Sequence, residues 1–182
     1  MFHVEQYGNM NLKNEIREIP DYPKEGISFK DITTLIKNSR AFNYVLDSIE
    51  NEFKDKGVTK VVGLEARGFI FGGAIAGRLK AGFVPVRKKN KLPYKKLWET
   101  YELEYGEDQI EMHIDGLSNT DIVLIHDDLL ATGGTAHAAL RMVERCGVEK
   151  VYFSFVCDLE FIDTPMKRML SKYETQVLVK YS

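Results

Sequence analysis

Apolar residues change their period several times along this chain, and each change marks an element. Phe42, Val45, Leu46, Ile49 and Phe53 recur at helical spacing. They form one apolar stripe, with Ser39 as candidate N-cap and Gly57 as the stop. Ahead of it, Asn11 to Ile19 reads as a short amphipathic helix ending before Pro20. Asp21 to Asp31 reads as a loop by its Pro23 and Gly26, although Tyr22, Ile27 and Phe29 give it something to pack. Strands and helices then alternate. Val58 to Leu64 is a β-branched run, Gly68 to Lys80 a helix and Phe83 to Val86 a short strand. Ile122 to Ile125 is continuously apolar, as a strand covered on both faces should be. Ala136, Ala139, Leu140 and Val143 mark a further helix, and Val151 to Val156 a further strand. This order predicts an α/β fold: a mainly parallel central sheet flanked by helices on both sides. Between Trp98 and Ile114 the period becomes two, first in Tyr101, Leu103 and Tyr105, then in Ile110, Met112 and Ile114. That is a hairpin or an excursion outside the parallel core.

In such a sheet ligands bind beyond the carboxyl ends of the strands, so the segments after Leu64, Val86 and Ile125 hold the candidate chemistry. After Ile125 come His126, Asp127 and Asp128, then the small and hydroxyl-bearing run Ala131, Thr132, Gly133, Gly134 and Thr135, which opens a helix. The two glycines permit left-handed backbone and turn N–H groups toward an anion, while Thr132 and Thr135 add hydroxyl donors. The helix N-terminus supplies partial positive charge. Two acids beside an anion cradle are repulsive unless they accept hydrogen bonds from a sugar's hydroxyls. Gly-Gly-Thr alone is equally a helix cap on a flexible loop. After Leu64, Arg67 stands at a strand end with Gly68 behind it, placed to offer a guanidinium fork to phosphate oxygens. A surface arginine capped by Glu65 is the plainer alternative. After Val86, Arg87 to Lys96 carries six cations in ten residues, either a polyanion site or a solvated basic loop.

These segments resemble those of type I phosphoribosyltransferases. Asp127 to Thr135 resembles the phosphoribosyl-pyrophosphate (PRPP) motif, in the version carried by the adenine-specific branch. Residues Gly63 to Phe69 resemble the pyrophosphate loop, and Lys91-Leu92-Pro93 with Leu103 to Gly106 the catalytic loop. Asp21 to Thr33 resembles the base-binding hood. The likeness spans about Ile16 to Val179 and implies one phosphoribosyltransferase domain over residues 1–182. Its hood would lie at about residues 11–35 and its mobile hairpin loop at about 87–106. It implies transfer of the phosphoribosyl group from PRPP to adenine, giving AMP and pyrophosphate, a purine-salvage step, with Mg²⁺ carried by PRPP. By the same likeness Asp127 and Asp128 hold the ribose, and Ala131, Thr132, Gly133, Gly134 and Thr135 the 5′-phosphate. Glu65, Ala66, Arg67, Arg87, Lys88 and Lys91 meet pyrophosphate. Ser28, Phe29 and Lys30 read adenine, Phe29 by stacking and its neighbours through main-chain groups. Glu104 handles the purine proton, Tyr105 closes the site and Arg67 stabilises departing charge. Taken alone, Phe29 reads as a core residue and Glu104 as a solvent-facing strand residue. Lys30 stands where the family carries Arg, and His126 where it carries a small or aliphatic residue, which suggests a core-facing imidazole. A homodimer is implied, with Phe69 and Phe71 as candidate interface residues that could equally be core.

Composition narrows the alternatives. The 182 residues suit one domain, and 25 Lys and Arg against 27 Asp and Glu give a net charge of −2. No nucleic-acid partner is expected at that balance. Hydrophobic residues at 44% and charged residues at 29% exclude a disordered chain. Cys146 and Cys157 build no disulfide framework, which fits a reducing, cytoplasmic setting. The longest apolar stretch, Phe69 to Gly77, falls far short of the ~20 residues that cross a bilayer. Glu5 and Gln6 stand where the apolar region of a signal peptide would be. Gly72 and Gly77 have nucleotide-loop spacing, but Arg78 and Leu79 replace the required Lys-Ser/Thr, and no Gly-x-Gly-x-x-Gly occurs. The readings still open are a phosphoribosyltransferase for another purine base, a non-catalytic PRPP-binding regulator, and an RNA binder working through the basic loop.

Overall fold

The computed structural model describes residues 10–103 and 106–182, so Glu104 and Tyr105 lie outside the described residues. The chain forms two compact units, residues 1–48 and 49–182.

In the first unit, β1 (Arg17–Ile19) pairs antiparallel with β2 (Phe29–Asp31), followed by α1 (Thr33–Lys37). The expected helix over Asn11 to Ile19 is one 3-10 turn, Leu12–Glu15, capped by Asn11, and its second half is β1. Leu12 and Ile16 are the buried pair behind the helical pattern, but Arg17 to Ile19 find cross-strand partners instead. Two of the three pairs are charged, and the third sets Ile19 opposite Phe29. Arg17 opposes Asp31 and Glu18 opposes Lys30, with ion pairs at 2.5 and 2.7 Å. A ribbon of two three-residue strands is marginal in water without such contacts. β2 also replaces the end of the expected loop over Asp21 to Asp31, whose turn is closed by Gly26 N–H donating to Asp21 Oδ1 at 2.8 Å. Tyr22 packs edge-on against Phe29, with centroids 5.3 Å apart.

Helix α2 (Ser39–Phe53) follows the predicted stripe, with Val45, Ile49 and Phe53 all but fully buried. Its cap is Asn38, whose Oδ1 accepts from the N–H groups of Arg40 and Ala41, and Ser39 is already helical. Asn and Ser cap about equally well, so only local geometry decides between neighbours.

In the second unit a seven-stranded sheet runs in the order β5-β6-β4-β3-β7-β8-β9. Its strands are β3 (Lys60–Leu64), β4 (Gly82–Lys88), β5 (Lys96–Leu103), β6 (Gly106–His113), β7 (Ile122–Leu130), β8 (Lys150–Leu159) and β9 (Thr175–Tyr181). Strands β4, β3, β7, β8 and β9 are parallel. The hairpin β5–β6 continues the same sheet antiparallel, joined to β4 through Arg87 opposite Glu111 and Lys88 opposite Ile110. Helices α3 (Gly68–Leu79) and α4 (Gly134–Arg145) cross over from β3 to β4 and from β7 to β8. Because these crossovers run to opposite sides of the β3/β7 pair, their right-handedness puts the helices on opposite faces. Phe71 of α3 accordingly meets His126 edge-on, while Ala139, Leu140 and Val143 of α4 pack with Val62, Val123, Ile125 and Phe153. Phe71 is thus fully buried core rather than interface. Helix α5 (Pro165–Leu170) and β9 went unpredicted from sequence, as did α1. Among the described residues no helix is long and apolar enough to cross a membrane.

The ribbon's ion pair has a pH signature. The Arg17 guanidinium, helped by Thr33, holds the Asp31 carboxyl down at about 2, against an ordinary 3.8. A depressed carboxylate stabilises the fold above its unfolded pKa and loses that contribution as pH falls through the folded value. Denaturant titrations between pH 5 and 2 should therefore show Asp31→Asn less stable by about 1 kcal/mol at the upper end, because Arg17 is half exposed. The gap should close toward the acid end; a pH-independent gap would contradict the assignment.

Candidate active site at the carboxyl ends of β4, β3 and β7

The register that pairs Gly63 with His126 and Leu64 with Val86 brings all three sequence-predicted segments to one sheet edge. Strand order reverses between β3 and β7, since α3 leads away on one side and α4 on the other. A crevice at such a point is the usual ligand site of an open parallel sheet.

β7 is longer than its apolar run predicts. Asp127 and Asp128 belong to the strand, not to the loop after it. The β8 ladder continues past them, with Asp127 opposite Phe155 and Leu129 opposite Cys157. Asp128 is only 3% exposed. Burial pushes both carboxyls up, Asp127 well above the usual range because the Asp128 charge adds to it. Arg67 works against this at Asp128, with Nε 2.9 Å from Oδ2. The arginine therefore pairs across strands with Asp128 and is not capped by Glu65. Gly68, next along, has no room for a side chain: a Cβ there would lie 2.9 Å from Asp127 Oδ1 and 3.1 Å from the His126 carbonyl. Glycine is what lets α3 begin directly against the acids. His126 itself is fully buried, and desolvation lowers its pKa to about 3, so it is a neutral core imidazole.

Glu65 has a different occupation. The Glu65–Ala66 peptide bond is cis. The Glu65 carboxylate accepts from Arg87 Nη2 at 3.0 Å and from the Lys88 N–H at 2.6 Å. Burial raises its pKa, but those two donors more than offset it and the net shift is downward. Its carboxylate therefore faces cations already present, fixing Arg87 beside the loop. Arg87 also donates to the Lys91 carbonyl at 3.2 Å, which holds the turn after β4. Lys88 and Lys91 are exposed, and Lys88 Nζ meets Asp108 Oδ2 at 3.0 Å.

After Leu130 the chain bends through Ala131 to Gly133 into α4. Gly133 is left-handed at φ 80°, and no side chain caps the helix there. Thr132 Oγ1 lies 3.4 Å from the Gly134 N–H, and Thr164 Oγ1 pins the Thr132 carbonyl at 2.5 Å. Gly133 at the N-cap has no side chain to offer, and only the long contact from Thr132 Oγ1 meets the first N–H of this twelve-residue helix, whose N-terminal N–H groups and dipole favour an anion. A cavity of about 370 Å³ opens beside this first turn, lined among others by Tyr101, Gly134, His137 and Arg141. A larger one, about 670 Å³, lies along β9 and α5, lined among others by Asp158, Lys167 and Gln176. The predicted sugar and phosphate residues line neither one as a set, and the open edge described here is the better candidate on chemistry.

In the first unit, Lys30 is buried and its ammonium is tied to Glu18 Oε2 at 2.7 Å and Ser28 Oγ at 3.0 Å. That network, invisible to motif reading, steadies the segment Ser28 to Lys30 that the hood resemblance marks. Two further cross-links were also missed: Glu99 with Arg141 and Arg145, and Asp108 with Lys88 and Tyr101. A carboxylate in a strand of alternating pattern gives no sign of its partner on a neighbouring strand or on a helix distant in sequence.

The sequence pattern of the phosphoribosyl transferase domain matches residues 31–178, and the chain belongs to that family. Among its relatives, an adenine phosphoribosyltransferase of Clostridium botulinum is 49% identical over 173 residues, covering 95% of this chain and 99% of the relative. The crystal structure of adenine phosphoribosyltransferase from Rhodothermus marinus is 47% identical, with a TM-score of 0.86 over 93% of this chain and 96% of that one. The APRTase of Giardia lamblia, solved with 9-deazaadenine, is 35% identical, with a TM-score of 0.87 over 93% and 96%.

The loop geometry has a direct consequence. Alanine at Gly133 would combine a left-handed backbone with a Cβ 3.1 Å from Lys167 Cγ and 3.2 Å from its N. Gly133→Ala should cost about 1–2 kcal/mol of stability and weaken inorganic phosphate binding, read by denaturant unfolding and calorimetric titration. Unaltered phosphate affinity would separate the turn from anion binding.

Proposed function

We infer that this chain transfers the 5-phosphoribosyl group of PRPP to adenine, giving AMP and pyrophosphate, and so serves purine salvage. One observation carries the reading most directly. Near the end of β7, Asp127 and the buried Asp128 lead through the Gly133 turn into the N-terminus of α4, and Arg67, at the start of α3, sits on Asp128. Phosphate, sugar hydroxyls and a leaving anion each find complementary groups within one sheet edge. The naming of close relatives over nearly the full chain supports adenine as the base.

In the reaction a ring nitrogen of adenine attacks the anomeric carbon of PRPP as the bond to pyrophosphate breaks. The bonding electrons leave with pyrophosphate, and the proton of the attacking nitrogen passes to a base. No covalent enzyme intermediate is needed, so the protein contributes position and prearranged charge. The cradle from Ala131 to Thr135 holds the 5′-phosphate. Asp127 and Asp128 accept from the ribose hydroxyls. Arg67, Arg87, Lys88 and Lys91 face the departing pyrophosphate, with Glu65 and Ala66 shaping that loop. PRPP enters as its Mg²⁺ complex, the ion keeping several waters. Ser28, Phe29 and Lys30 of the hood, about residues 11–35, present the base. The hairpin loop, about 87–106, brings Glu104 to take the purine proton and Tyr105 to exclude water. All 182 residues serve as one phosphoribosyltransferase domain. The protein acts in the cytoplasm as a homodimer, for which Ile70 (43% exposed) and Phe83 (36%) at the α3/β4 face are the apolar candidates beside Phe69.

A pyrophosphate-release assay with PRPP and a panel of bases tests this reading. Turnover with adenine is expected; turnover of hypoxanthine or guanine in its place would reassign the substrate, and PRPP binding without release would make the chain a binder. Glu104→Leu should lower kcat about 10²- to 10⁴-fold, the usual contribution of a positioned general base, with little change in PRPP affinity. An unchanged kcat would remove Glu104 from the mechanism. Arg67→Gln should weaken PRPP and pyrophosphate binding about tenfold, as expected for one charged hydrogen bond, and spare AMP. Equal loss for all three ligands would contradict its role.

A further inference from the structure

Lys88, Asp108 and Tyr101 form a polar row across three neighbouring strands. Tyr101 of β5 lies directly opposite Asp108 of β6, and Lys88 of β4 lies opposite Ile110, two residues along on the same face. Asp108 Oδ2 accepts from Lys88 Nζ at 3.0 Å and from the Tyr101 hydroxyl at 3.1 Å. Its other oxygen takes the Gln109 N–H at 2.8 Å. Thr135, in the first turn of α4, interacts with the same Tyr101 hydroxyl, and Tyr101 and Gly134 line one cavity. Burial opposes ionisation of Asp108, but Lys88 and the Gln109 N–H hold its carboxyl below the usual range. A fixed anion thus sits on an exposed ammonium at the end of β4, beside the loop that carries Glu65 and Arg67.

We propose that Asp108 is a positioning residue that occupies Lys88 as a stand-in anion and yields it to the pyrophosphate group of the substrate. This rests on the reading of Lys88 as a pyrophosphate ligand. A lysine suits the exchange better than an arginine would, since its compact ammonium on a flexible stem changes partner by rotamer. The Tyr101 hydroxyl and the Gln109 N–H remain on Asp108 when Lys88 leaves, so the carboxylate is never stripped of donors. Two anions sharing one ammonium repel each other at short range. Asp108 therefore competes with pyrophosphate, loosening its binding and recapturing Lys88 when the product departs.

Calorimetric titration of the full chain with pyrophosphate, and separately with AMP, tests this. Asp108→Asn keeps the shape and still accepts from Tyr101. It should tighten pyrophosphate binding about threefold at low salt, the scale of one partly exposed ion pair, with the gain fading as salt rises and AMP affinity unchanged. The gain should vanish in a Lys88→Gln background and revert in Asp108→Glu. Unchanged or weaker pyrophosphate binding, a gain that survives without Lys88, or an equal shift for AMP would each overturn the proposal. If Lys88→Gln alone binds pyrophosphate as tightly as the native chain, the fault lies instead with the reading of Lys88. Should Asp108→Asn not fold, Asp108→Ser removes the same charge, with the same outcomes expected.

Discussion

Two adjacent carboxylates near the end of β7, Asp127 half-buried and Asp128 buried, are the constraint around which the site is organised. Burial disfavours the charge of both, and the Asp128 charge makes Asp127 costlier still to ionise. A fold that retains such a pair needs a counter-charge delivered from nearby, and Arg67, in the turn between β3 and α3, supplies it. Arg67 can reach Asp128 only because the β3–β7 register ends where it does, and because Gly68 lets α3 begin against Asp127 without a side chain. The turn that carries Arg67 is thus tied by an ion pair to the neighbouring strand β7. Replacing the pair with apolar residues would relieve that cost, so its presence points to work done on a ligand.

The same logic extends across the sheet edge. The run from Arg87 to Lys96 looks self-repelling in one dimension, yet in the fold several of its cations meet a carboxylate from another segment: Arg87 with Glu65, Lys88 with Asp108, Lys96 with Glu111. Glu111 is nearly fully buried, and its pairing with Lys96 and the Asn90 N–H explains how a charge survives there. An incoming polyanion consequently meets cations with existing partners and must compete for some of them. Partly exposed pairs suit that exchange, since each contributes little on its own.

How much of this was legible depends on the range of the interaction. The α2 stripe, the apolar start of β7 and the α4 stripe come from local periodicity, and the order of elements then yields a parallel sheet. The cradle from Ala131 to Thr135 is likewise local, because turn chemistry and helix start adjoin in sequence. What misled was local pattern overruled by distant partners. Arg17 to Ile19 continue a helical reading but pair with Phe29 to Asp31, and Asp127 and Asp128 look like loop residues until β8 extends alongside them. α5 and β9 left no periodic signal strong enough to register. Phe71, adjacent to the exposed Ile70, shows the limit for interface reading: one helical step separates a core ring against His126 from a surface side chain.

The β5–β6 hairpin is where local and distant terms combine. Its eight cross-strand pairs come from period-two patterning, and two register pairs with the Lys88–Asp108 and Asn90–Glu111 contacts join it to β4 and the turn after it. It is also fastened to α4. Glu99, nearly buried on β5, meets Arg141 at 2.6 Å and Arg145 at 2.9 Å, Arg145 being the last residue of that helix and Arg141 about one turn before it. Near the opposite end of α4, Tyr101 approaches Thr135. The hairpin stem is thus referenced to the very helix whose first turn is proposed to hold the phosphate.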